Sequence, residues 1–315
     1  MARAKLFAAL AVLVFSSSIG AGVTASAASS NAVSLSPFLQ NITITPNDLG
    51  QSFKLLLTNR SSNVQELDLT VKDFGSLNDT GGVLVIDTPN DYSQHYGLTS
   101  WLRLEADTVV LQPGDSREVL VTVDNRPDLV PGGHYGAVVA SVRNLDEQPG
   151  NRVAINQQLL SLVLVDKQGG DRYDLKLRSL EQNGNWLHLP SNVKLHFQNP
   201  GNVHATPRGR VLLKNPAGQT IAQGIINTES AYILPASFRD LYVKLTPIGQ
   251  RLPLPGIYHV EVEYRYDGLD KLAHKSYAVR FINLKLYIAI IGLILIAIWL
   301  FQRVKKARKN VAKTD

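Results

Sequence analysis

From Val33 to Phe281 polar and apolar residues alternate with a period of two, which excludes a helical fold for most of the chain. In QELDLTVKDF, Leu67, Leu69 and Val71 alternate with Glu66, Asp68, Thr70 and Lys72; Val119, Val121 and Val123 repeat the pattern. Tyr258, Val260, Val262 and Tyr264 do the same against His259, Glu261, Glu263 and Arg265. Successive side chains on a strand point to opposite faces, so each stretch is a strand with one buried and one wet face. Turn chemistry separates the strands, as at Pro113-Gly114-Asp115, Asn183-Gly184, Asn199-Pro200-Gly201-Asn202 and Asp267-Gly268. Many short antiparallel strands punctuated in this way predict an all-β chain of two tandem immunoglobulin-like β-sandwich domains.

The pattern breaks near the C-terminus. Leu286 to Phe301 reads LYIAIIGLILIAIWLF without a charge, and Phe281, Ile282 and Leu284 extend it to the ~20 residues that a bilayer core of roughly 30 Å requires. Tyr287 and Trp299 stand near its two ends, where amphipathic rings settle, and Lys285 can snorkel to the headgroups. Arg303, Lys305, Lys306, Arg308, Lys309 and Lys313 follow, which places the tail in the cytoplasm against anionic lipid. At the other end a basic start (Arg3, Lys5), an apolar run from Leu6 to Phe15 and Ala25-Ser26-Ala27 form the pattern of a cleaved signal peptide. The expected boundaries are a signal peptide at 1–28, sandwich domains at 29–168 and 171–281, a transmembrane helix at 282–302 and a basic tail at 303–315. Such a chain is a single-pass type I protein of the cell membrane, its ectodomain outside.

The overall net charge of +6 does not mark a nucleic-acid binder. The basic excess sits in the two termini: residues 29–281 carry 25 acidic groups and, with Lys285 set aside, 23 basic ones, a net charge of −2. The absence of cysteine excludes disulfides and thiolate metal sites, and for an exported chain it points to a bacterial envelope.

A weak internal repeat supports two domains. LVPGGHYGAVVASV in the first half and LPGIYHVEVEY in the second both follow a strand and place a Tyr just after Pro-Gly. Tyr135 and Tyr258 are therefore candidates for a tyrosine that bonds back to the backbone at a sandwich corner, with Gly132, Gly133 and Gly256 at tight bends. The polar joint Lys167-Gln168-Gly169-Gly170-Asp171 marks the boundary, and the second half runs straight into the membrane helix, close to the bilayer.

No nucleophile elbow, phosphate-binding loop, HExxH or EF-hand loop occurs, so the chain reads as non-enzymatic and without cofactor or metal. His196 and His204 bracket the Asn-Pro-Gly-Asn turn and read as solvent-facing. The long segment Gly75 to Ser100, read as a connection, gathers Tyr92, His95 and Tyr96 ahead of Trp101. Flat aromatic faces suit a glycan- or protein-binding loop, and these four are the candidate partner-binding residues; equally, the tyrosines can pack the loop onto the sheet, and Trp101 in WLRL can cap the core. Exposed sheet edges offer a second route to a partner, by accepting an extended segment.

VSLSPFLQNITITP, LLLTNRSSNVQELDLTV, VVLQPGDSREVLVTVDNRPDLVPGGHYGAVVASV and NPGNVHATPRGRVLLKNPAGQTI together resemble the WxL-interacting proteins of Gram-positive cell surfaces. The resemblance implies two immunoglobulin-like domains, a C-terminal anchor, and an adhesin or scaffold whose partners are peptidoglycan and WxL-type surface proteins. The alternative is an envelope assembly factor or chaperone that acts on exported subunits by β-strand addition.

Overall fold

A computed structural model describes residues 32–127, 130–143, 157–249 and 253–311; the expected signal peptide and the last residues of the tail lie outside these. The chain is mostly β-sheet and closes in one long apolar helix. Residues 33–167 supply β1 (Val33–Ser36), β2 (Leu39–Ile44), β3 (Gly50–Asn59), β4 (Gln65–Leu77), β5 (Gly82–Ile86), the short helix α1 (Asp91–Tyr96), β6 (Leu102–Leu104), β7 (Thr108–Leu111), β8 (Ser116–Asp124), β9 (Gly132–Arg143) and β10 (Gln158–Lys167). Residues 176–281 supply β11 (Lys176–Gln182), β12 (Asn192–Asn199), β13 (Arg208–Lys214), β14 (Thr220–Ile226), β15 (Ser237–Lys244), β16 (Thr246–Pro247), β17 (Gly256–Arg265) and β18 (Ala273–Phe281), and α2 (Leu284–Val311) follows.

In the N-terminal half one sheet has the order β1-β3-β8-β6 and the other β2-β10-β9-β4-β5, with β7 also paired to β4. Their inner faces meet: Leu55, Val121 and Val123 from the first pack on Ile42, Ile44, Val138, Val163 and Val165 from the second. In the C-terminal half β11-β12-β15 packs on β16-β14-β13-β17-β18 around Leu195, Phe197, Val211, Val260 and Val262. Each such buried Val, Leu or Phe contributes about 1.5–3 kcal/mol through apolar burial. β12 alternates buried and less buried residues along most of its length, as a strand with one wet face should. β9 does not, being buried from Gly132 through Ala140, because both of its faces are covered.

Gly75 to Ser100 is not one long connection. β4 runs on to Leu77 and turns into β5, whose GVLVI carries the β-branched and apolar residues of a strand. The remainder is α1, closed by a capping box between Asn90 and Ser93, and a 3-10 turn at Thr99–Trp101.

A second repeat appears in the side chains of two buried asparagines. Asn59 at the end of β3 donates from Nδ2 to the Asn63 carbonyl and accepts the Ser61 N–H at Oδ1; Asn199 at the end of β12 does the same with Val203 and Gly201. Tyr258 donates its hydroxyl to the Leu254 carbonyl at 2.7 Å, the bond expected of a corner tyrosine. Tyr135 makes no such bond and is turned toward the C-terminal half.

Candidate partner-binding cleft

The outer face of the second N-terminal sheet meets the C-terminal half, and β10 lies at that meeting. Leu159, Val163 and Val165 point into the interior between the N-terminal sheets, whereas Leu160, Leu162 and Leu164 turn outward. There they join Leu39, Phe74, Tyr135 and Ala137, and, from the segment between β14 and β15, Tyr232 and Leu234. β10 is apolar on both faces, so QLLSLVLV reads as a nearly continuous apolar run.

Between these residues lies a cleft of about 570 Å³, with Phe38, Leu39, Phe74, Leu162 and Leu164 on one side and Tyr232, Leu234, Phe238 and Arg239 on the other. Behind it two neutral side chains meet. The Tyr135 hydroxyl, fully buried, sits 3.4 Å from Nδ1 of His204. Burial pushes the tyrosine well above its ordinary pKa and His204 down to about 4, so both are neutral at pH 7. The Tyr232 ring stands edge-on to His204, and Asn41 Nδ2 donates to the Tyr232 hydroxyl at 3.4 Å. Arg239 places a cation at the rim, donating from Nη1 to the Tyr232 carbonyl at 2.8 Å. His204 is thus not solvent-facing. The neighbouring Asn202 docks against the N-terminal half, its carbonyl accepting the Gly133 N–H at 2.7 Å. A Cβ on Gly133 would overlap the Tyr135 hydroxyl, so the close approach requires glycine.

One stretch of β10 has no paired strand on one side among the described residues. β2 runs parallel to it only from Leu162↔Leu39 to Lys167↔Ile44. At the upper limit the Leu162 N–H donates to the Phe38 carbonyl at 2.8 Å and Ser161 Oγ to the Pro37 carbonyl at 2.7 Å. Upstream of that point the chain belongs to β1, in the opposite sheet, paired with β3. Every second residue on a strand turns its N–H and C=O to the same side. Gln158 and Leu160 therefore present theirs on the side that Leu162 uses for β2, and among the described residues no strand pairs with them. Phe38, 74% exposed, flanks this open edge.

The four aromatic positions singled out in the sequence part company. Tyr92 and Tyr96 contact each other, ring centroids 4.9 Å apart, and pack on the cluster around Tyr135. The Tyr92 hydroxyl is buried without a hydrogen-bond partner, and burial raises its pKa. His95 is exposed, with Nδ1 2.8 Å from the Asp91 carbonyl. Trp101 is fully buried inside the N-terminal half, its ring 4.5 Å from that of His134. Asp73 sets this division by accepting the N–H groups of Leu98 and Thr99, each at 2.8 Å, and the Thr99 hydroxyl at 2.6 Å.

Among the described residues two groups have metal-ligating side chains close together, Asp79 with His196 and Asp240, and Glu261 with Glu263 and His274. Lys194 already pairs with Asp240, Lys214 with Glu261 and Arg210 with Glu263.

No protein-family model matches the sequence, and no curated protein matches it. Similar solved structures include the class 5 fimbriae chaperone CfaA, at 14% identity over 78% of this chain and 98% of that one, with a TM-score of 0.43. A chain of the Salmonella enterica SafA pilin–SafB chaperone complex has 12% identity over 81% of this chain and 98% of its own, TM-score 0.37. The E. coli chaperone DraB has 12% identity over 79% and 96%, TM-score 0.35. The expectation of a WxL-interacting protein finds no support in any family model, and with it fall the adhesin or scaffold role and the peptidoglycan and WxL partners; the structures named above are of chaperones and of a pilin–chaperone complex. The quoted segments are strand-and-turn patterns of the kind many β-sandwiches share, and such patterns specify packing rather than ligand.

Proposed function

We propose that this protein is a membrane-tethered assembly factor that holds an exported, incompletely folded β-protein by adding one of the partner's strands to the open edge of β10. The outer side of Gln158–Ser161, unpaired among the described residues and at the mouth of the cleft, carries this reading. The backbone groups of Leu160 supply the hydrogen bonds of an added strand, and the face formed by Leu160, Leu162, Phe38 and Tyr232 takes alternate apolar side chains. Two other edges are guarded. β11 exposes Lys176 and Arg178, and β18 exposes His274, Lys275 and Arg280, charges that discourage strand pairing. The cleft is mostly apolar, which suits the binding of apolar side chains.

In this reading residues 29–168 and 171–281 are two immunoglobulin-like sandwiches, and α2 crosses the cell membrane with its basic end in the cytoplasm. Among the described residues one helix is long and apolar enough to do so, over Leu284–Arg303. The tether keeps the cleft beside the membrane across which unfolded chains emerge.

The test is site-specific photocrosslinking in cells, with a benzophenone amino acid at Leu160 and, separately, at Ser276 on β18. Mapping the Leu160 crosslinks to one extended segment of alternating apolar residues in an exported protein is the expected result. Crosslinks at Ser276 but not at Leu160, or scattered products without a common segment, would overturn the assignment.

A further inference from the structure

The base of the C-terminal half is built around the first turns of α2. The Ile282 N–H donates to the Trp186 carbonyl at 2.6 Å. Asn283 donates from Nδ2 to the Pro253 carbonyl at 2.7 Å and accepts the Leu286 N–H at Oδ1, 3.1 Å, which satisfies one of the free amides at the helix start. The turn between β11 and β12, the segment before β17 and the helix are thereby fastened together. Between them runs an apolar groove of about 740 Å³, with Leu187, Leu189 and Leu254 facing Leu284, Leu286 and Ala289. Exposed beside it are Leu254 (63%), Trp186 (58%) and Ile248 (44%), an amount of bare apolar surface that a water-facing loop cluster does not normally carry.

The depth of this groove follows from the helix. The apolar stretch Leu284–Arg303 has 20 residues, which at 1.5 Å per residue spans about 30 Å, the thickness of a hydrocarbon core with little to spare. Leu284 therefore stands at the upper boundary, and Ala289 lies roughly 7 Å below it. Whatever faces Leu284 to Ala289 across the groove shares that depth, so Leu187, Leu189 and Leu254 lie at headgroup and upper-chain level. Lys285, also in the groove wall, brings a cation to the level of the phosphates.

We propose that these two loops are seated in the outer leaflet and that phospholipid acyl chains fill the groove. The inference rests on the reading of α2 as a membrane span. Three points of attachment instead of one fix the tilt of the C-terminal sheets, and hold the β10 cleft at a set angle to the membrane instead of letting it swing on a hinge.

The chain has no cysteine, so single substitutions report without background. Full-length Leu254→Cys, Trp186→Cys, Ile294→Cys and Val110→Cys, labelled with an environment-sensitive nitrobenzoxadiazole, are reconstituted into phosphatidylcholine vesicles. Nitroxide lipids carrying the quencher near the headgroup or near the chain end then report depth. The expected result is loss of fluorescence at 254 and 186 with the shallow quencher, at 294 with the deep one, and at 110 with neither. Quenching at 294 with none at 254 and 186 would overturn the seat and leave the span intact. Absence of quenching at 254 and 186, together with disulfide-linked dimers of the unlabelled Leu254→Cys protein on addition of an oxidant, would assign the groove to a second copy of the chain. No quenching at 294 would remove the membrane span itself, and the seat with it.

Discussion

Tyr135 and His204 face each other across the junction of the two halves, hydroxyl to Nδ1 at 3.4 Å with ring centroids 5.8 Å apart. Both are buried, and the contact joins β9 to the turn after β12. Sheets joined only by a short linker would swing freely; here an aromatic cluster, the Asn202 bonds and the Tyr173 hydroxyl, donated to Asp166 at 2.5 Å, hold them in one arrangement.

That arrangement weakens in acid. Burial holds the folded pKa of His204 at about 4, below the ordinary value of 6.5, so as pH falls the unfolded chain takes up the proton first. The stabilising contribution is complete above pH ~6.5, is lost progressively down to pH ~4 and changes no further below that, a total of roughly 3 kcal/mol. His134, lowered mainly by burial, acts in the same direction. Thermal unfolding of detergent-solubilised protein at neutral and acid pH should show this slope, and His204→Gln should flatten part of it. An unchanged slope in the variant would mean that His204 is protonated without cost.

The Tyr92 hydroxyl has no partner to lose. Tyr92→Phe should leave stability unchanged or raise it by about 1 kcal/mol, since an unsatisfied buried polar group is removed. Tyr92→Ala should cost roughly 3 kcal/mol through lost packing on Tyr96 and Gly75. Melting temperatures of the two variants measure the difference.

Asn59 and Asn199 each tie a turn to a strand end from a fully buried position. Asn59→Ala and Asn199→Ala should each destabilise by about 2–4 kcal/mol, because several backbone groups are left unpaired. If the junction couples the halves, calorimetry will show both variants lowering one common transition. Two transitions, each sensitive to one variant only, would show that the halves unfold independently.

Tyr258→Phe should cost about 1 kcal/mol, the net worth of its bond to the Leu254 carbonyl. The longer Tyr135–His204 contact predicts a smaller loss for Tyr135→Phe.

The strands were legible because their physics is local. Leu67, Leu69 and Val71 enter β4, and Tyr258, Val260, Val262 and Tyr264 enter β17, on the faces that alternation assigns. The cleft was not legible, since each of its defining features joins residues far apart in sequence. Ser161 bonds to Pro37, so nothing near β10 announces where β2 leaves it. His204 reads as a turn residue until Asn202 and Val203 are seen against Gly132 and Gly133. Trp101 stands close to Tyr92 and Tyr96 in sequence, yet the bonds that Asp73 accepts send it to another cluster. One local trace existed: Leu160, Leu162 and Leu164 add a second apolar face to β10, more than a strand with one wet side needs.

The most direct measurement is hydrogen exchange at the Leu160 amide, with and without a synthetic peptide of alternating apolar residues. Strand addition at β10 predicts that this amide slows by about a hundredfold or more on binding, because its N–H gains a partner. Exchange at Leu160 that stays fast while the peptide is bound, or protection that appears instead along β18, would contradict strand addition at this edge.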